Sequence, residues 1–328
     1  MTTVKSADKK GVWSWMLFDW AAQPFHTLII TFVFGPYFTS QVASSDVIGQ
    51  SYWGYTVGLA GLIIAILSPI LGALADASGP RKPWILSFSL LGIFGATVLW
   101  FIPPEASEQT ILLGLLALAI ALIGFEFAAV FNNAMMPDLV PREELGKLSG
   151  SSWALGYVGG LFALTLMLGF MVANPESGKT LLGVTPLFGL DAQSHEGDRA
   201  SGPLTAVWLA VFIIPLFVFT PDTTSKKRRI ASVRASLKSL WQTIKFLPKN
   251  QSLSSFLLSS MLYRDALNGL YAFGGIYAAG VLQWSIIQIG IFGILANITG
   301  AIGAWLGGHM DLRFGSKAVV NSSVQLLI

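Results

Sequence analysis

The sequence predicts an all-α integral membrane bundle whose helices cross the bilayer in alternating directions. Three observations carry this expectation. Hydrophobic residues make up 53% of the 328 and charged residues only 11%, against about a quarter charged in soluble domains. The charges cluster between apolar runs near or above the roughly 20 residues that span a bilayer core. Seventeen of the 20 Lys and Arg residues fall in alternate loops, the asymmetry that the positive-inside rule describes.

Eight complete spans are expected, at 13–38, 52–75, 84–102, 110–136, 148–173, 204–219, 253–277 and 286–306. Runs this long exceed barrel strands, and a helix satisfies its own backbone groups in lipid. The first run is not a cleaved signal: it is too long, contains Asp19 and ends in aromatics. The basic loops carry Lys5, Lys9 and Lys10; Arg81 and Lys82; Arg142 and Lys147; eight residues from Lys226 to Lys249; and Arg313 and Lys317. The opposite loops hold only Lys179 and Arg199, and Arg264 lies within a span. The N-terminus and the basic loops are therefore expected in the cytoplasm, for a multi-pass protein of the cell (inner) membrane.

Residues 318–328 start like a ninth span and stop after 11 residues. At about 1.5 Å per residue these reach about half-way across the core. The expectation is eight full spans and a partial ninth, from a fragment of a longer chain. The basic loop 6–7 divides it into a six-helix bundle (1–219), a linker (220–252) and an incomplete second bundle (253–328). In the linker, Val233, Leu237, Leu240, Trp241, Ile244 and Leu247 recur at helical spacing, with Arg234, Lys238 and Lys245 on other faces. An interfacial amphipathic helix and a solvated basic linker both fit that pattern.

A motif repeats across the halves. Residues 72–82 run Gly72, Asp76, Gly79, Arg81, Lys82, and residues 307–317 run Gly307, Asp311, Gly315, Lys317. Both copies follow the second span of their half, where a glycine permits close helix approach and an aspartate can meet a helix terminus or a base across the cytoplasmic seam. In this the chain resembles the major facilitator superfamily, whose loop 2–3 motif has this form. It more narrowly resembles the bacterial branch related to the autophagy vacuole effluxers. That closer likeness is carried by Trp15-Met16-Leu17-Phe18-Asp19-Trp20-Ala21, Phe34-Gly35-Pro36-Tyr37-Phe38, Asn133-Ala134-Met135-Met136-Pro137-Asp138-Leu139, Trp153-Ala154-Leu155-Gly156-Tyr157, Tyr263-Arg264-Asp265 and Phe273-Gly274-Gly275-Ile276-Tyr277. The resemblance implies two six-helix halves working by alternating access. Ala77 and Pro80 stand where arginines are common in the superfamily, and helices 10 to 12 are not represented.

Charged residues inside a membrane cost roughly 2.5–3.5 kcal/mol each and are functional candidates by default. Asp19, Gln23 and His26 share one face of span 1, Glu126 and Asn133 one face of span 4, and Arg264, Asn268 and Tyr271 one face of span 7. Asp265 points about 100° away from Arg264. Spans 1, 4 and 7 are the cavity-lining helices of the resembled fold. From span lengths, Asp19 lies about 9 Å and Arg264 about 16 Å from the cytoplasmic end, and Glu126 about 24 Å from the outer end. Two readings stay open: Glu126 or Asp19 as a protonation site with Arg264 as countercharge or anion anchor, or a fixed ion pair holding helices together.

The chain lacks cysteine, which excludes disulfides and thiolate chemistry. No phosphate loop, metal-ligand cluster or nucleophile–base spacing is present in the sequence, so neither an enzyme nor a metal or soluble cofactor is expected. The basic excess follows topology, so no nucleic-acid partner is expected either. The expected partners are the lipid bilayer, a small-molecule substrate and protons. The leading reading is a secondary transporter of a small polar solute, an amino acid or similar metabolite. The alternative is a shortened facilitator scaffold serving assembly.

Overall fold

The computed structural model describes residues 7–222, 238, 241–242 and 244–326. Most of the linker, including its basic run and the apolar positions Val233, Leu237 and Leu240, lies outside these. The described residues are helical almost throughout. In order the helices are α1 (Lys9–Pro24), α2 (Phe34–Tyr37), α3 (Asp46–Ser78), α4 (Lys82–Val98), α5 (Glu108–Asn133), α6 (Met136–Leu139) and α7 (Leu145–Phe170). After the loop over residues 171–195 come α8 (Glu196–Phe212), α9 (Ile214–Phe219), α10 (Gln251–Gly280), α11 (Ile286–Phe314) and α12 (Ser316–Leu326).

Six stretches are long and apolar enough to cross a membrane: Asp46–Gly72, Lys82–Phe101, Glu108–Leu139, Arg142–Phe170, Glu196–Phe219 and Gln288–Phe314. They coincide with six of the eight expected spans. The expected sixth span was short because its first turns are polar; the helix begins eight residues earlier, at Glu196. The expected seventh span is one continuous 30-residue helix, α10. Arg264, Asp265 and several serines make it more polar than the others.

The expected first span is interrupted. After α1 the backbone runs as a π-helix through Phe25–Phe32, resumes as α2, and widens again over Phe38–Val42. Pro24 and Pro36 each remove a backbone donor. The Thr31 hydroxyl donates to the His26 carbonyl at 2.9 Å, satisfying one acceptor inside the widened stretch. Such bulges cluster at functional positions in helices.

Side chains cap several of the other long helices. Ser45 accepts from Ile48 N at the start of α3, and Ser107 from Thr110 N at the start of α5. Ser285 and Gln288 form a reciprocal capping box on α11. α4 is capped from a distance: the Asp222 carboxylate accepts from Arg81 N at 2.9 Å and Lys82 N at 3.1 Å. This ties the end of the sixth span to the start of the third. Asp222→Ala is expected to cost about 1 kcal/mol, the usual worth of an N-cap, read as a lower thermal midpoint in detergent.

The two motif copies are helical for most of their length, because α3 and α11 continue beyond the apolar core. Gly79 (φ 88°) and Gly315 (φ 80°) end them in backbone regions that favour glycine. The repeat thus sets matching helix ends. Packing follows glycine and aromatic contacts. Phe25 stacks on Phe125 with centroids 4.2 Å apart, joining α1 to α5 within a core that includes Trp15, Phe18, Phe34, Trp53, Phe127 and Phe131. The glycine pairs Gly54/Gly58, Gly156/Gly160 and Gly303/Gly307 have the four-residue spacing that suits close helix approach. Among the described residues, a Cβ on Gly58 or Gly303 would meet nothing within 4 Å, and those on Gly54 and Gly307 only ordinary contacts. Gly156 and Gly160 do lie against a neighbouring helix.

Candidate functional site

α7 stands between the two sets of helices. On one side it receives α1: the Ser152 hydroxyl donates to the Asp19 carboxylate at 2.5 Å. A Cβ on Gly156 would lie 3.3 Å from the Asp19 Cβ. One turn further out, a Cβ on Gly160 would lie 3.0 Å from Gln23 Cγ and 2.9 Å from Asn297 Oδ1. On its other side α7 packs antiparallel to α11 in a single register. Gly146 meets Asp311, Gly150 meets Gly308, Tyr157 meets Gly300, and Leu164 meets Gly293.

Asp19 and Gln23 therefore sit on the α1–α7 seam. Asp19, Gln23 and His26 are each partly exposed, while Phe18, Ala21, Ala22 and Phe25 around them are buried. On α5, Glu126 is partly exposed and Asn133 exposed, on a stripe with Ala119, Ile123 and Val130. The Phe25–Phe125 stack brings the adjacent His26 and Glu126 to a similar depth. Spans 1 and 4 thus present their polar stripes at one level.

Arg264, Asp265, Asn268 and Tyr271 are all exposed on α10. The Tyr271 hydroxyl lies 3.5 Å from that of Tyr157 on α7. This contact turns the face shared by Arg264, Asn268 and Tyr271 toward α7, the helix that holds Asp19. Asp265 lies off that face. Relative depth follows from the contact at which Gly275 abuts the Thr31 carbonyl. Counting back along each helix at about 1.5 Å per residue puts Arg264 about 16 Å from that contact and Asp19 at most about 18 Å from it, less because Phe25–Phe32 is π-helical. Among the described residues no ion pair joins Arg264 to Asp19 or Glu126.

The motif copies divide their work. In the second, the Asp311 carboxylate reaches Gly146 in the first turn of α7, where a helix N-terminus favours negative charge. One turn on, a Cβ on Gly150 would be 2.6 Å from the Ala304 carbonyl oxygen and 2.7 Å from Gly308 Cα. Gly308, one position after the expected Gly307, makes the close approach. In the first copy Arg81 and Lys82 bind their own half: Arg81 Nη1 donates to the Ala134 carbonyl at 2.7 Å and Lys82 Nζ to the Phe217 carbonyl at 2.9 Å. Gly72 faces open space among the described residues. The Asp76 side chain lies outside what is described.

The sequence reading missed Ser152, Tyr157 and Asn297. Asn297 is 4% exposed, and its Oδ1 has no hydrogen-bond partner among the described residues. As an amide deep in an apolar run, it was open to the criterion that picked Glu126. Ser152 and Tyr157 gave no such signal, because small hydroxyl and aromatic residues are common in membrane helices.

Residues 41–327 match the family model described as "Vacuole effluxer Atg22 like". The "Uncharacterized MFS-type transporter YxiO" of Bacillus subtilis (strain 168) is 29% identical over 313 residues, covering 94% of this chain and 69% of that protein. "Autophagy-related protein 22-2" of Aspergillus oryzae is 25% identical over 341 residues, covering 85% of this chain and 55% of its own length. The protein of that name from Neosartorya fischeri is 24% identical, with the same coverages. The chain thus spans about half the length of these fungal relatives. The bacterial relative is named as a transporter and the family model as an effluxer, neither as an enzyme. With its apolar helices and a family match over most of its length, the chain is a multi-pass membrane protein that belongs to the Atg22-like vacuole effluxer family.

Proposed function

We propose that this chain forms the solute pathway of a secondary transporter that moves a small zwitterionic solute, an amino acid or similar metabolite, by alternating access. The observation that carries this reading is the placing of Asp19 and Arg264. They hold opposite charges on two helices at matching depth, facing a common neighbour, with no ion pair between them. Opposite charges left apart at one level suit a ligand with an ammonium at one end and a carboxylate at the other. Ser152, Tyr157 and Tyr271 add hydroxyls that donate or accept beside them.

Alternating access is supported by the seams. The cytoplasmic ends of α7 and α11 close through glycines and the Asp311–helix contact, which hold without covalent or metal links. The bulged outer part of the first span meets α10 at Thr31 and Gly275. Glu126, level with His26 and separate from the Asp19–Ser152 pair, is assigned the coupling proton. The N-terminus and basic loops are assigned to the cytoplasmic side on the charge asymmetry.

Reconstituted into proteoliposomes, the protein is expected to accumulate radiolabelled neutral α-amino acids when an inward proton gradient is imposed. Glu126→Gln is expected to keep solute exchange and lose gradient-driven accumulation. Full proton-driven accumulation by that variant would remove Glu126 from coupling. No exchange of any zwitterion by the wild-type protein would remove the transport reading itself.

A further inference from the structure

On the face opposite the basic loops, His195 stands in the left-handed region (φ 52°, ψ 34°) just before α8. A non-glycine residue held there is strained and persists only where its surroundings fix it. His195 Nδ1 lies 2.9 Å from Asp198 Oδ2, and Asp198 is only 6% exposed. The imidazole also lies against the Tyr37 ring, with centroids 5.5 Å apart. Tyr37 is the last residue of α2, and its hydroxyl donates to the Ile102 carbonyl at 2.8 Å. Next to Asp198, Arg199 donates from Nε to the Trp100 carbonyl at 2.8 Å and lies over the Trp100 ring. One cluster thus joins the outer ends of the first, third and sixth spans.

The element it holds also touches the second half, at α10. α2 lies between two widened stretches of backbone, so few regular helical bonds fix it. A Cβ on Gly275 of α10 would lie 3.3 Å from Pro36 Cγ, and Gly275 already abuts the Thr31 carbonyl. We propose that His195, Asp198 and Tyr37 form a proton-responsive latch that fixes the outer segment of the first span, tight when the imidazole is protonated and loose when it is neutral.

Histidine changes charge between about pH 5 and 8. A protonated ring adds a charge pair with the nearly buried Asp198 carboxylate, an attraction that a neutral ring lacks. The other ionisable groups at hand are Arg199, Glu196 and Asp191. Arg199 stays charged. Glu196 accepts from Asp191 N at 2.9 Å. Asp191 is held below the usual carboxylate range by the Ser194 hydroxyl and by the backbone N–H groups of Ser194 and Gln193. Asp191 therefore stays ionised across the window in which histidine titrates.

The test is hydrogen–deuterium exchange of the full chain in nanodiscs at pH 5.5 and 7.5, corrected for intrinsic rates and read over residues 33–42. The wild-type protein is expected to exchange there about 10-fold more slowly at the lower pH. His195→Asn, which tolerates the left-handed backbone, is expected to abolish the ratio. His195→Lys, which keeps a positive charge, is expected to exchange slowly at both pH values. Equal corrected rates in the wild-type protein, or a ratio that survives in His195→Asn, would overturn the latch. The readout does not depend on transport, so it stands or falls apart from the proposed function.

Discussion

Asp19→Asn and Arg264→Gln are each expected to lower zwitterion uptake about 100-fold, or about 2.8 kcal/mol at 1.4 kcal/mol per decade. Removing one partner of a desolvated charge contact costs 2–5 kcal/mol or more, mostly because the opposite ligand charge is left buried and unpaired. The two variants are expected to differ in what they spare. Asp19→Asn should retain more binding of a solute lacking its ammonium, and Arg264→Gln more of one lacking its carboxylate. If both residues contact one ligand, the double variant should fall short of the sum of the single losses. Initial rates in proteoliposomes measure all three. Losses that add fully, with no change in solute preference, would separate the two residues into different roles.

The largest structural effect is expected at Gly124, where α5 meets α4. A Cβ there would lie 2.7 Å from both Gly92 Cα and the Phe88 carbonyl oxygen, and would abut the Gly92 amide. All three are backbone atoms, so no side chain can turn aside, and the helices themselves must part. Gly124→Val is expected to destabilise by about 3 kcal/mol, the upper part of the overpacking range. It should appear as a large fall in thermal midpoint and loss of the monodisperse species in detergent. Gly58→Val is the control, since a Cβ there meets nothing within 4 Å among the described residues. It should shift the midpoint little. Equal effects at the two positions would show that close helix contact is not what Gly124 provides.

What the sequence made legible differs from element to element for physical reasons. Six apolar helices were readable because lipid demands long runs of one composition, and the repeat around Asp76 and Asp311 was readable as a pattern. The broken first span was not, although Pro24 and Pro36 were in view, because proline alone does not say whether a helix kinks, widens or stops. Gly72 and Gly308 have similar settings in the sequence, yet one faces open space and the other a helix. Only the neighbouring chain decides that.

The candidate site divides the same way. Asp19, Glu126 and Arg264 stood out because charge in a membrane is costly wherever it lies. Ser152, Tyr157 and Asn297 acquire meaning only from the partner that the fold sets against them. By itself, then, the sequence determined that the chain enters a membrane, where its helices run and which of their faces are polar. These follow from local composition against a uniform apolar solvent. The tertiary structure alone decided that Asp19 meets Ser152 and not Arg264, and that Asp311 reaches the start of α7. It also joined His195 to Tyr37 across 158 positions of chain. Such contacts depend on how whole helices are set beside one another, and no window along the chain encodes that.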